Sequence, residues 1–166
     1  MSTIDTAINV LAATPATLRA LLADLDEAAL SAPGAEGWSA RDVVAHVASL
    51  DPFTLRGRIT TMIEQDNPVI PGIDEEETLN ASGLRGRPLA ELLDAFAAQR
   101  ALSMDLLRGL RESDLTRRGR HSVAGDLTIA DIVHHKAFHD LLHVRQIVSL
   151  IETPIEAARG AMRMFV

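Results

Sequence analysis

Ile4, Ile8, Leu11, Pro15, Leu18, Leu22 and Leu25 recur at steps of three and four. That spacing draws one apolar stripe along an α-helix, whereas a strand presents every second residue to the same face. The stripe keeps its phase through Pro15, which predicts one kinked helix rather than two helices. The pattern returns in three more blocks. After the turn-rich SAPGAEG at 31–37, Ser39 followed by Asp42 resembles a capping box, with Trp38 placed to pack on Val43 as a staple. The helix it opens runs from about residue 40, is bent or reset by Pro52 near Leu50 and Asp51, and resumes with Phe53, Ile59, Met62 and Ile63. A third helix starts after Pro88, with Leu89, Leu93, Phe96, Ser103, Leu107 and Leu110 on one face. Thr128 and Asp131 repeat the capping pattern and open a fourth helix, from Ile129 to about Ile151, which Pro154 is expected to close.

These blocks predict an all-α fold: a four-helix bundle of up-down-down-up type, in a single domain spanning 1–166. A long connection, residues 66–88, joins the second and third helices and holds three prolines and three glycines. Connections of that length are commonly lids or mouths of sites. A short helix from Asp74 to about Leu79 fits inside it. No apolar alternation is long enough to suggest a sheet.

Composition narrows the function classes. The chain has no cysteine, which excludes thiolate zinc ligands and a cysteine nucleophile. Its formal charge is −7 and Lys136 is its one lysine, a poor match for a nucleic-acid backbone. Small or neutral partners suit it better. The run Arg117, Arg118 and Arg120 reads as a solvated loop. There is neither a signal-peptide pattern nor an apolar stretch of membrane-spanning length, so a cytoplasmic protein without membrane partners is expected.

Four of the six histidines fall in HHKAFHDLLHVRQI, 134–147. On a helix His135, His139 and His143 form a stripe, and Val133, Ala137, Leu141, Val144 and Val148 make the other side apolar. This predicts a central helix buried nearly all round, whose imidazole nitrogens need partners. Two histidines four apart chelate one ion readily, and a third ligand is then required. His46, beside the apolar Val43, Val47 and Leu50, is the best third ligand. His135 is a weaker one, because about 12 Å of helix separates it from His143. The alternative is that these are hydrogen-bonded core histidines, the commoner fate of a helical histidine. His134 reads as a boundary residue, and His121 as exposed or hanging over a pocket mouth.

HDLLHVRQI at 139–147 resembles the H-D-x-x-H-x-x-Q-I signature of the DinB/YfiT-like superfamily of four-helix-bundle metalloproteins. GWSARDVVAHV at 37–47 resembles that family's first motif, and GRHSVAGDLTIADIV at 119–133 the approach to its last helix. The resemblance implies a metal triad of His46, His139 and His143 holding a divalent ion, zinc or nickel, and it implies a homodimer. Characterised relatives include transferases and isomerases that use low-molecular-weight thiols, and many members have no known activity. The chain departs from the pattern after the first histidine, where relatives often carry an acidic residue and this chain reads VASLDPF; Asp51 is the candidate substitute.

Three neutral imidazoles leave a divalent site at +2, which favours an incoming hydroxide or thiolate. The resemblance to thiol-using relatives makes a small-molecule transferase using a low-molecular-weight thiol the leading expectation. The alternatives are a hydrolase acting through bound water and a non-enzymatic metal-binding module. Asp42, one turn before His46, is either support for that ring or a helix cap. Gln146 either orients a bound water or satisfies a backbone group. Asp140 points away from the histidine stripe, with Arg145 as its candidate partner.

Overall fold

The computed structural model describes residues 2–35 and 37–165. Helix α1 (Thr3–Leu22) runs unbroken through Pro15 and buries Ala7, Leu11, Thr14, Leu18 and Leu22. Proline has no N–H for the carbonyl four residues back, here that of Leu11. Arg100 supplies the missing donor, with Nη1 2.7 Å from the Leu11 carbonyl oxygen. The short helix α2 (Glu27–Ser31) follows, capped by Asp26.

Helix α3 (Ala40–Asp51) begins with the full capping box of Ser39 and Asp42, and every residue from Val43 to Asp51 is buried. Pro52 does not end the helical path. It opens a π-helical turn, Pro52–Gly57, in which the Arg58 N–H reaches back five residues to the Phe53 carbonyl. Helix α4 (Arg58–Glu64) continues from there. The wider turn admits an extra residue, so side chains beyond it are rotated relative to the face set by α3.

Within the long connection lie strand β1 (Val69–Ile70) and helix α5 (Glu75–Ala81), close to the short helix expected from Asp74 to about Leu79, with Asp74 as its cap. Helix α6 (Leu89–Arg108) returns along the bundle. Strands β2 (Arg118–His121) and β3 (Gly125–Thr128) then lead into helix α7 (Ile129–Ala158) through the Thr128–Asp131 capping box. Helix α1 packs along α6 and α7, and α3 packs against the same two helices, which closes an all-α four-helix bundle.

Four expectations are corrected. A small sheet exists, in the order β1-β2-β3, with β1 parallel to β2 and β2 antiparallel to β3. Its strands are two to four residues long, too short for an apolar alternation to announce them. Gly119 allows the sheet to sit on the bundle: a Cβ there would meet Met62 and Ile70 at 3.3 Å. Arg117 is part of this junction rather than a solvated residue, since its Nη2 donates to the Gln65 carbonyl at 3.0 Å.

Pro154 does not close α7. The helix runs on to Ala158, where Arg163 donates to the Glu156 and Ala157 carbonyls at 3.0 and 2.8 Å. Nor is α7 the helix buried all round; that is α3. Leu141 and Val148, assigned to a buried face, are exposed, as are Phe138, Leu142 and Ile155. The apolar tail residues Met162, Met164 and Phe165 are exposed too and do not cover the core. Among the described residues no helix is long and apolar enough to cross a membrane.

Candidate metal centre

His46 comes from the middle of α3, and His139 and His143 from successive turns of α7. One ring nitrogen from each lies within 4.8 Å of the other two. The Nε2 atoms of His139 and His143 are 3.3 Å apart. That is about the edge length of a tetrahedron whose zinc–nitrogen bonds are roughly 2.0–2.1 Å. The His46 ring centroid is 5.5 Å from that of His139 and 4.8 Å from that of His143. Trp38 meets the His46 ring edge-on at 4.9 Å and shields that side.

The protonation states suit metal ligation. Burial pushes His46 down to about 3 and His139 down to about 2, with Lys136 and the neighbouring imidazoles adding to the effect. Burial also lowers His143, against the opposing hydrogen bond of Gln146. All three rings are therefore neutral near pH 7. Gln146 Oε1 lies 2.9 Å from His143 Nδ1. An amide oxygen can only accept, so Nδ1 carries the hydrogen and Nε2 presents a bare lone pair. His46 Nδ1 and His139 Nδ1 are buried with no hydrogen-bond partner among the described residues. The donor set fits a divalent ion with borderline-soft preferences.

A carboxylate stands at the edge of this group. Glu75, on α5, places Oε2 3.5 Å from His46 Nε2. The long connection thus contributes directly to the site. Nothing in EEE at 75–77 singles out the first glutamate; only the fold does.

The other candidates fall elsewhere. Asp42 is committed to the cap: its Oδ2 accepts from Ser39 N and Oγ at 3.1 and 2.6 Å. It does not support His46. Gln146 holds His143 itself. His135 is exposed, with its ring 6.4 Å from that of His139, and is not one of the converging three. His134 is half-buried, with Nε2 unpartnered among the described residues. His121 lies in the β2–β3 hairpin, with Nδ1 accepting from the N–H groups of Val123 and Ala124 at 3.2 Å.

Asp51 and Asp140 belong to a separate, fully buried cluster. Arg100 Nη2 is 2.8 Å from Asp51 Oδ1 and Nη1 is 2.5 Å from Asp140 Oδ2. Ser103 Oγ donates to Asp51 at 2.9 Å, and the guanidinium lies over the Phe96 ring at 4.8 Å. Lys136 Nζ sits 3.6 Å from Asp51 and 3.9 Å from Asp140. Asp140 thus pairs with Arg100 inside the bundle, not with Arg145 on its surface, and Asp51 is no substitute acid at the triad.

A groove of about 1140 Å³ runs between α2, its following loop and the C-terminal half of α7. Leu25, Ala29, Trp38, Leu150 and Ile155 make it apolar, and at one end it reaches His143 and Gln146.

Comparison with known proteins agrees with this architecture. The DinB superfamily model matches residues 11–147. A protein of Oceanobacillus iheyensis named "Putative metal-dependent hydrolase" is 28% identical over 144 residues, covering 86% of this chain and 83% of that one. The structure of YfiT from Bacillus subtilis, described as "a probable metal-dependent hydrolase with an unusual four-helix bundle topology", superposes with a TM-score of 0.81. The two are 22% identical, over 92% of this chain and 89% of YfiT.

Proposed function

This chain belongs to the DinB superfamily, and we propose that it is a metal-dependent hydrolase of small molecules acting through water. His46, His139 and His143 would hold the ion, zinc or nickel. When bound, such an ion supplies Lewis acidity, making water acidic enough to ionise near pH 7 and polarising a substrate carbonyl. The chain's own residues do the rest. Gln146 fixes the His143 tautomer, so that its lone pair faces inward. The Glu75 carboxylate accepts a hydrogen bond from the attacking water and takes its proton at Oε2. The apolar groove that reaches His143 has room for the non-reacting part of a substrate.

The observation that carries this reading is a carboxylate beside three converging, neutral imidazoles. Both nucleophiles must lose a proton, but water is far the weaker acid (about 15.7 against about 8.5 for a thiol) and gains more from a carboxylate base at that position. The names carried by the Oceanobacillus and Bacillus relatives favour hydrolysis in the same direction. The thiol-transferase expectation therefore gives way to the hydrolytic one.

The test begins with elemental analysis of freshly purified protein beside His46→Ala and His139→Ala variants. About one equivalent of zinc or nickel is expected in the parent and none in either variant. Ester and amide panels are then assayed with and without added thiol. Turnover without thiol, lost in Glu75→Gln at unchanged metal content, supports the proposal. Metal-free parent protein, or turnover that requires a thiol, sinks it.

A further inference from the structure

The π-helical turn between α3 and α4 has a second effect. It brings Arg58 to His121, with Nη2 and Nε2 3.2 Å apart. His121 Nδ1 already accepts from two backbone N–H groups, so in the neutral ring the hydrogen sits on Nε2. Arg58 Nη2 has nothing but N–H to offer. Two donors therefore face each other, and the contact is not itself a hydrogen bond. Arg58 is half-buried, and among the described residues no carboxylate lies within ion-pair distance of it. Glu75 is near enough to hold the guanidinium's proton more firmly, but burial outweighs it.

The pair is linked to the triad through shared charged neighbours. Glu75, which Arg58 senses, is 3.5 Å from His46. On the other side His121 senses His135, whose ring is 6.4 Å from His139.

We propose that Arg58 and His121 form an oxyanion-binding subsite next to the metal centre, which seats a carboxylate or phosphate group of the substrate. An acceptor oxygen placed between the two donors satisfies both and neutralises the guanidinium, in the geometry arginine favours for carboxylate and phosphate. The substrate class that follows is an amide or ester carrying an anionic group close to the bond to be cut. That last step rests on the hydrolytic reading; the anion subsite does not.

The test titrates the full-length protein, as purified, with succinate and separately with inorganic phosphate, by calorimetry. The parent, Arg58→Gln, His121→Gln and the remote charge control Arg108→Gln are compared, with metal content measured in every sample. Saturable binding of at least one anion is expected, weakened about tenfold or more in Arg58→Gln and His121→Gln and unchanged in Arg108→Gln. The preferred anion tells a carboxylate site from a phosphate site. If Arg58→Gln fails to fold, His121→Gln alone decides. Binding that survives both substitutions, falls equally in Arg108→Gln, or is absent from the parent overturns the inference. Absence of metal in the parent would instead sink the hydrolytic reading and leave the anion titration to stand or fall by itself.

Discussion

Two polar clusters lie side by side in this bundle, and they differ in how their groups are satisfied. Around Arg100 the charges are matched: two carboxylates meet one guanidinium and the Lys136 ammonium, Arg100 donates to the carbonyl freed by Pro15, and Ser103 donates to Asp51. Lys136 Nζ alone is held by charge, without a hydrogen bond among the described residues. Around His46, His139 and His143, ring nitrogens converge, the Nδ1 atoms of His46 and His139 have no partner among the described residues, and one carboxylate stands at the edge. A satisfied buried network ties elements together, and here it joins α1, α3, α6 and α7. An unsatisfied one costs stability and persists where something else completes it. Arg58 repeats the contrast with Arg100 in a single residue type. One guanidinium is buried with two carboxylates, and the other faces a histidine donor.

The sharpest way to break the comparison is to remove one member of each cluster. Arg100→Ala leaves two buried carboxylates, Asp51 and Asp140, with Lys136 as the one cation between them, and strands the Leu11 carbonyl. A loss of about 3–5 kcal/mol is expected. In metal-free protein His139→Ala is expected to cost about 1 kcal/mol, the ordinary price of a substitution, because its Nδ1 has no bond to lose and its Nε2 only the long 3.3 Å contact with His143. Urea unfolding of both variants, with metal removed by chelation, measures the difference. Equal losses would mean that the histidines hold the fold together and would erase the distinction.

Acid separates the clusters next. In metal-free protein burial holds His46 at about 3 and His139 at about 2, against 6.5 for an unburied ring. Between those values the unfolded chain binds more protons than the folded one. Stability therefore falls as pH drops below about 6.5, by at most about 1.4 kcal/mol per pH unit per histidine. Burial alone would raise the Asp51 carboxyl, but Arg100, Lys136 and Ser103 outweigh it and hold it below its ordinary value. Its contribution is fully present above about pH 3.9 and is lost as pH falls through the lowered value. Urea midpoints measured from pH 7 to 3 should decline early for the parent and less steeply for His139→Ala. A flat profile down to pH 4.5 would show that the rings are not held neutral by burial.

What the sequence disclosed follows the same division. Apolar periodicity and capping boxes are local signals, and they located the four long helices and the start of α7. His139 and His143 were legible because i,i+4 spacing fixes a shared face, and His46 because it flanks the apolar Val43, Val47 and Leu50 in a stretch that resembles the family's first motif. Arg100 was not, since a lone arginine inside an apolar stripe carries no mark of the two aspartates that meet it from α3 and α7. Glu75 and Arg58 were missed for a related reason. One is the first of three consecutive glutamates, and the other is aimed by a π-helical turn that Pro52 signalled only as a bend. The strands escaped because RGRH and GDLT pair through backbone, with little side-chain pattern to betray them. Pro154 misled because a proline's local cost of roughly 3 kcal/mol does not dictate an ending where the helix beyond it is anchored. Here Arg163 anchors it by capping the last carbonyls.

The smallest expected effects come from two residues that the sequence offered as equal candidates to support the site. Gln146 touches His143 Nδ1, while Asp42 is spent on the start of α3. Removing a group that orients a ligand costs metal affinity, typically about tenfold or more, and little stability. Removing a cap does the reverse, at about 1 kcal/mol. Gln146→Ala should therefore weaken zinc binding, measured by competition with a chromogenic chelator, at a nearly unchanged urea midpoint. Asp42→Ala should lower the midpoint and leave zinc affinity where it was. The two effects are similar in energy and opposite in kind, so only both measurements on both variants separate them. If Asp42→Ala also lost zinc affinity, the α3 cap would have to be counted as part of the metal centre, because fraying the first turn would then move His46, one turn further along the helix.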